Sequence, residues 1–296
     1  MNCLQIIPDP AFLSGFNILS QKDHSDNDRV TLLGTKKCDG NLTPVWNVAT
    51  WDSGPCLWEN RIETDEYSIL DGKWRCFSVN KADGSASFTL DSSLYYNGKG
   101  AVHGDYWPHL LLENGRFGDN GDSRFYRCSM DRLVFKIDLR MTEYSRIVNP
   151  DDWVEAAQFL CFFYLKGIKN DDFIWFGIKL FDSRSMSDPP FIAYDGGKPD
   201  ASGKLIYHLG TNEAYDGGEG LWKNGQPSAD GEWKSVCVDM KPHLNAAFNR
   251  AKQDGAIKSD GTADMFIDGM NIGFETIGTF RHTIEIKNMG LFSYYD

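Results

Sequence analysis

The stretch "WPHLLLE", residues 107–113, carries the residue types of a binding or reactive surface. As a strand its side chains alternate between two faces. Pro108, Leu110 and Leu112 form an apolar set; Trp107, His109, Leu111 and Glu113 form the other. A solvated face favours Thr, Lys or Ser, whereas an indole, an imidazole and a carboxyl together suit a face that holds a ligand. His109 supplies a base near neutral pH, Glu113 an acid or base, and Trp107 a flat apolar surface. Extended geometry sets His109 and Glu113 roughly 13 Å apart. They therefore work on different parts of a ligand, or with partners from neighbouring strands, and not as a dyad.

Other runs split in the same way. "DSRFYRCSM" sets Arg124 and Tyr126 on one side. "LVFKIDLRM" sets Lys136, Asp138 and Arg140 opposite Phe135, Ile137 and Leu139. "AQFLCFFYLK" sets Gln158, Leu160, Phe162 and Tyr164 opposite Phe159, Cys161 and Phe163. "FIWFGIKLFD" sets Trp175 and Lys179 opposite Ile174, Phe176 and Ile178. The candidate ligand contacts are thus Trp107, Arg124, Tyr126, Gln158 and Trp175, joined by Trp222 as a partly exposed stacking ring at a rim.

Two chemistries follow from these residue types. Hydrolysis of a glycosidic bond needs two carboxyl groups, one protonated and one ionised, about 5 to 10 Å apart. Glu113 supplies one; Asp138, Glu143 or Asp182 supplies the other, and the candidate catalytic set is His109, Glu113 and Asp138. Elimination from a uronate needs instead a base such as His109 or Tyr126 and a cation such as Arg124. The loop "NEAYDGGEGLW", residues 212–222, gathers carboxylates. Several oxygen ligands on a flexible loop are what calcium takes, so Asp216 and Glu219 are the candidate ligands of a structural calcium. No other cofactor is implied: the chain has no P-loop spacing, no G-x-S-x-G elbow and no CxxC pair.

The elements that position these residues are short strands. Asp-Gly pairs begin at Asp39, Asp71, Asp83, Asp195, Asp216, Asp230, Asp254, Asp260 and Asp268, with runs rich in Val, Ile, Phe, Tyr and Trp between them. Many short strands with such turns predict an antiparallel sandwich. The expected strands include "AAQFLCFFYLKG", "KLIYHLG", "ADMFIDG", "NIGFETIG" and "HTIEIKNMGLFSY". One helix is expected, "KPHLNAAFNRAKQDG", with Pro242 in its first turn, Leu244, Phe248 and Ala251 on one face, and Gly255 at its stop. The expectation is an all-β fold, a two-sheet jelly roll of at least ten strands spanning residues 1–296 as one domain, with the single helix peripheral.

The 296 residues carry a formal net charge of -12. That balance argues against nucleic acid, whose backbone needs clustered Lys and Arg; a neutral glycan is not excluded. No run is long enough to span a membrane, and the start "MNCLQIIPDPAFLSGFNILSQ" lacks a signal pattern. A cytoplasmic protein is expected, or a secreted one whose leader has been removed. Seven cysteines without a paired motif fit reduced thiols better than a disulfide frame.

Two stretches and the length carry a resemblance. "ADMFIDGMNIGFETIGTFRHTIEIKNMGLFSY" resembles the closing strands of carbohydrate-binding jelly rolls, and "EWKSVCVDM" is similar to the W-x-x-V-x-V-D strand of such modules. The length is similar to that of the larger concanavalin A-like lectins and glucanases. The resemblance implies a jelly roll that recognises a carbohydrate. Of that superfamily's catalytic blocks, the laminarinase-type Glu-x-Asp-x-x-Glu is absent, and so are the Arg, Gln-x-His and Tyr-x-Lys blocks of alginate-lyase-type jelly rolls. Binding alone, hydrolysis, elimination and a structural role all stay open at this level, as does the oligomeric state.

Overall fold

The structure is a computed structural model. It describes residues 2–19, 32–38, 41–50, 68–71, 74–115, 117, 130–147, 154–184, 191–196, 203–209, 221–222 and 226–295. The chain forms β1 (Asn2–Gln5), β2 (Phe16–Leu19), β3 (Leu32–Lys36), β4 (Trp46–Ala49), β5 (Ser68–Asp71), β6 (Arg75–Asn80), β7 (Ser85–Asp91) and the one-turn α1 (Ser92–Tyr95). It continues through β8 (His109–Asn114), β9 (Arg132–Arg146), β10 (Ala156–Gly167), β11 (Phe173–Asp182), β12 (Phe191–Tyr194) and β13 (Leu205–Leu209). It closes with β14 (Lys234–Asp239), α2 (Lys241–Gln253), β15 (Met265–Ile277) and β16 (Phe280–Tyr295).

The strands make two sheets, as alternation predicts. Sheet A has seven strands, in the order β14-β9-β16-β7-β6-β5, with β1 also paired to β16. Sheet B has nine, in the order β12-β13-β11-β10-β15-β8-β4-β2-β3. Two pairs are parallel, β11 with β13 and β2 with β4, and the other strand pairs are antiparallel.

One core draws side chains from the inner faces of both sheets. Phe88 of sheet A meets Phe159 of sheet B edge to face at 5.3 Å, and Phe135 meets Phe163 at 5.4 Å. Each fully buried Phe contributes about 2 kcal/mol or more through the apolar area it removes from water. A charge lies between the sheets. Arg75 is buried, its guanidinium 4.1 Å from the Trp74 ring centre, and its Nη1 donates to the His109 carbonyl at 3.0 Å. The α2 helix begins with proline in its first turn and buries Leu244, Ala247, Phe248 and Ala251. That face touches β9 of one sheet and β11 and β13 of the other. No helix among the described residues is long and apolar enough to cross a membrane.

Two glycine positions shape the candidate site. Asp268-Gly269, expected as a turn between two strands, lies inside the single strand β15, at a bulge where Tyr164 faces Gly269 and Leu165 faces Ile267. A Cβ at Gly269 would run into the Asn114 carbonyl of β8, so the close approach of the two strands requires glycine. Gly278, with φ 89°, turns the chain from β15 of sheet B into β16 of sheet A. Ser92 clasps that turn: its Oγ donates to the Gly278 carbonyl at 2.6 Å and accepts from the Phe280 N–H at 2.9 Å.

Candidate ligand-binding face

Residues that alternate with the core set of sheet B stand on its outer face, and the registers place them side by side. From β12 to β3, one row runs Phe191, His208, Gly177, Phe162, Asn271, Glu113, Asn47, Asn17 and Thr35. Eight inter-strand spacings make that row about 38 Å long. It divides into a polar half and a ring half.

The polar half is a hydrogen-bonded ladder. Thr35 Oγ1 donates to Asn17 Oδ1 at 3.0 Å, and Asn17 Nδ2 donates to Asn47 Oδ1 at 3.1 Å. Glu113 stands between Asn47 and Asn271, and Asn271 hydrogen-bonds the Tyr164 hydroxyl. Burial pushes the Tyr164 hydroxyl well above its ordinary pKa, and the nearby Glu113 carboxylate adds to the rise.

The ring half lies on β10 to β13. Phe162 meets His208 at 4.8 Å and Trp175 at 5.9 Å. Trp175 also meets Tyr164 at 5.2 Å and Phe173 at 4.7 Å, and Phe191 meets His208 at 5.8 Å. Gly177 makes this packing feasible: a Cβ there would lie 2.8 Å from both the Phe162 and His208 rings. Burial holds His208 neutral, with the Lys179 charge as the second cause, and its pKa falls to about 4.

A second row runs Asp182, Gln158, Glu275 and His109. Asp182 is buried, and both its oxygens are engaged. Oδ1 accepts from the Arg184 N–H at 3.0 Å and from its Nε at 3.0 Å; Oδ2 accepts from Arg184 Nη2 at 2.8 Å and from Gln158 Nε2 at 2.8 Å. Burial alone would raise its pKa, but the bonds and charge of Arg184, with the bond from Gln158, hold it below the ordinary value. Asp182 is therefore an ionised anchor that orients Gln158 beside Glu275. Glu113 and Glu275 lie on adjacent strands but four residues out of register, about 14 Å apart.

No family model and no curated protein matches this chain. Among solved structures, a family 12 xyloglucanase from Bacillus licheniformis is similar at 8% identity and a TM-score of 0.43, over 78% of this chain and 96% of that one. The xyloglucanase domain of NopAA, a type three effector from Sinorhizobium fredii, solved with cellobiose, is similar at 9% identity and a TM-score of 0.36, over 78% of this chain and 99% of that one. An endo-1,4-β-glucanase, CelB2, is similar at 10% identity and a TM-score of 0.33, over 75% and 92%. The likeness is distant and concerns the jelly-roll sandwich.

Of the residues expected at the site, His109, Glu113, Gln158 and Trp175 share the outer face of sheet B. Trp107 lies at its end, packed on the cluster of Tyr96, Ala101, Ala156 and Ile277. Asp138 is not brought to them. It is on the outer face of sheet A, where it accepts from Ser235 Oγ at 2.6 Å and Asn288 Nδ2 at 2.7 Å. Trp222 corrects the expectation of an exposed stacking ring: it is 6% exposed and belongs to the core, held by a bridge to Val236. Arg124 and Tyr126, and the expected calcium ligands Asp216 and Glu219, lie outside the described residues. Among the described residues no group of three or more His, Cys, Asp or Glu side chains is placed to hold a metal. Sequence reasoning missed His208, Asn271 and Glu275. Their signal was present, since "KLIYHLG" and "NIGFETIG" alternate as clearly as the runs that were used.

Proposed function

We propose that the outer face of sheet B binds a carbohydrate chain laid across its strands. The observation that supports this is the cross-sheet row: amides, a hydroxyl and a carboxyl on one half, rings on the other. Sugar hydroxyls both donate and accept, which suits amide and carboxyl partners. The apolar face of a pyranose packs on an aromatic ring. A core face offers the second without the first, and a solvated face the first without the second.

Hydrolysis with inversion is the second reading. Asp182 and Glu275 lie on one row with Gln158 between them, about 9.5 Å apart by strand spacing. That is at the upper limit for an inverting pair, whose base must be ionised. The four hydrogen bonds on Asp182 favour an anchor over a base, so binding is placed first.

The test is affinity electrophoresis of the purified protein against soluble neutral polysaccharides, with reducing-end release assayed in parallel. The wild type is retarded in at least one gel; Phe162→Ala with Asn271→Ala abolishes the retardation, while Ser87→Ala on sheet A keeps it. Retardation in no gel overturns the reading. Reducing ends released by the wild type and lost in Glu275→Gln move the assignment to hydrolysis.

A further inference from the structure

We draw no further inference here: the strongest candidate, the polar hollow of about 270 Å³ on the outer face of sheet A lined by Ser78, Asn80, Asp83, Ser85, Arg140 and Glu285, carries nothing, since its two carboxylates are taken by Ser85 and Arg140 and beyond them and a stripe of serines nothing in the structure points to a ligand for it.

Discussion

The two outer faces of the sandwich are built on the same pleat and differ in what their polar groups do. Sheet A carries the row Arg140, Glu285, Ser87, Ser78 and Ser68. Its groups pair with one another in the open: Arg140 Nη2 with Glu285 at 2.7 Å, Arg281 Nε with Glu143 at 2.8 Å, and Thr89 with Thr283 at 3.0 Å. Even its tryptophan is occupied. Trp233 has Arg140 at 4.7 Å and Lys287 at 4.0 Å over its ring. Sheet B sets rings and amides in its outer rows and buries many of them, and Trp175 Nε1 and His208 Nδ1 have no hydrogen-bond partner among the described residues. Short hydroxyls and paired ions mark a face designed to be wet. Buried rings and amides mark one built to be dry.

Acid is the strongest way to separate the faces. His208 has a folded pKa of about 4 and an ordinary value of 6.5. The unfolded chain therefore takes up the proton first. Stability is full above pH 6.5 and falls as the pH drops toward 4, by about 1.4 kcal/mol per pH unit and roughly 3 kcal/mol in all. His282 adds the same sign from the core, where burial lowers its pKa to about 3 and Phe274 stacks on it at 3.8 Å. Urea unfolding at pH 7 and pH 4.5 measures the loss, and His208→Gln shows the shallower dependence. An unchanged dependence in that variant would remove His208 from the comparison.

Next in size is the removal of one carboxylate from each face. Asp182→Asn unpairs Arg184 and Lys179 and costs about 2 kcal/mol by denaturant unfolding, less than a fully buried pair because Arg184 is half exposed. Glu285→Gln breaks a surface pair and costs about 0.5 kcal/mol. Equal costs would mean that the faces do not differ in burial where it matters. The smallest side chains separate the faces by binding more than by stability. Gly177→Ala pushes the Phe162 and His208 rings into the face, and weakens carbohydrate binding severalfold for a loss of about 1 kcal/mol in stability. Ser87→Ala changes stability by less than about 0.5 kcal/mol and binding not at all. Affinity gels on both variants check the pair.

Much of this contrast is legible before any coordinates. The alternation in residues 107–113, 156–167 and 173–179 separates core from outer face correctly, until a bulge sends both Leu180 and Phe181 into the core, and α2 is readable from Pro242 to Gly255. Lateral register is not readable. Asn17, Asn47, Glu113 and Asn271 lie up to 254 residues apart in sequence and become neighbours only through strand pairing. β2 and β4 are four residues each, too short for a period-2 pattern to stand out. Asp138 shows the limit most plainly: its alternation is real, but no local pattern says which sheet its strand joins. The carboxylates that precede Trp222 in sequence suggest a rim, whereas Leu221 beside it, 1% exposed, is the better guide to where that segment goes.

The crossover at Gly278 gives the sandwich a mechanical character. β15 lies between β10 and β8 in sheet B, and β16 lies between β9 and β7 in sheet A. Two residues, clasped by Ser92, therefore join the interiors of both sheets at one end, and Phe274 stacked on His282 rivets them just inside it. The sheets cannot slide past each other there without breaking the clasp. Gly269, beside Tyr164 and Trp175, lies nine residues from this point along β15 and Glu275 only three, so the Glu275 row is the part of the outer face most firmly tied to sheet A.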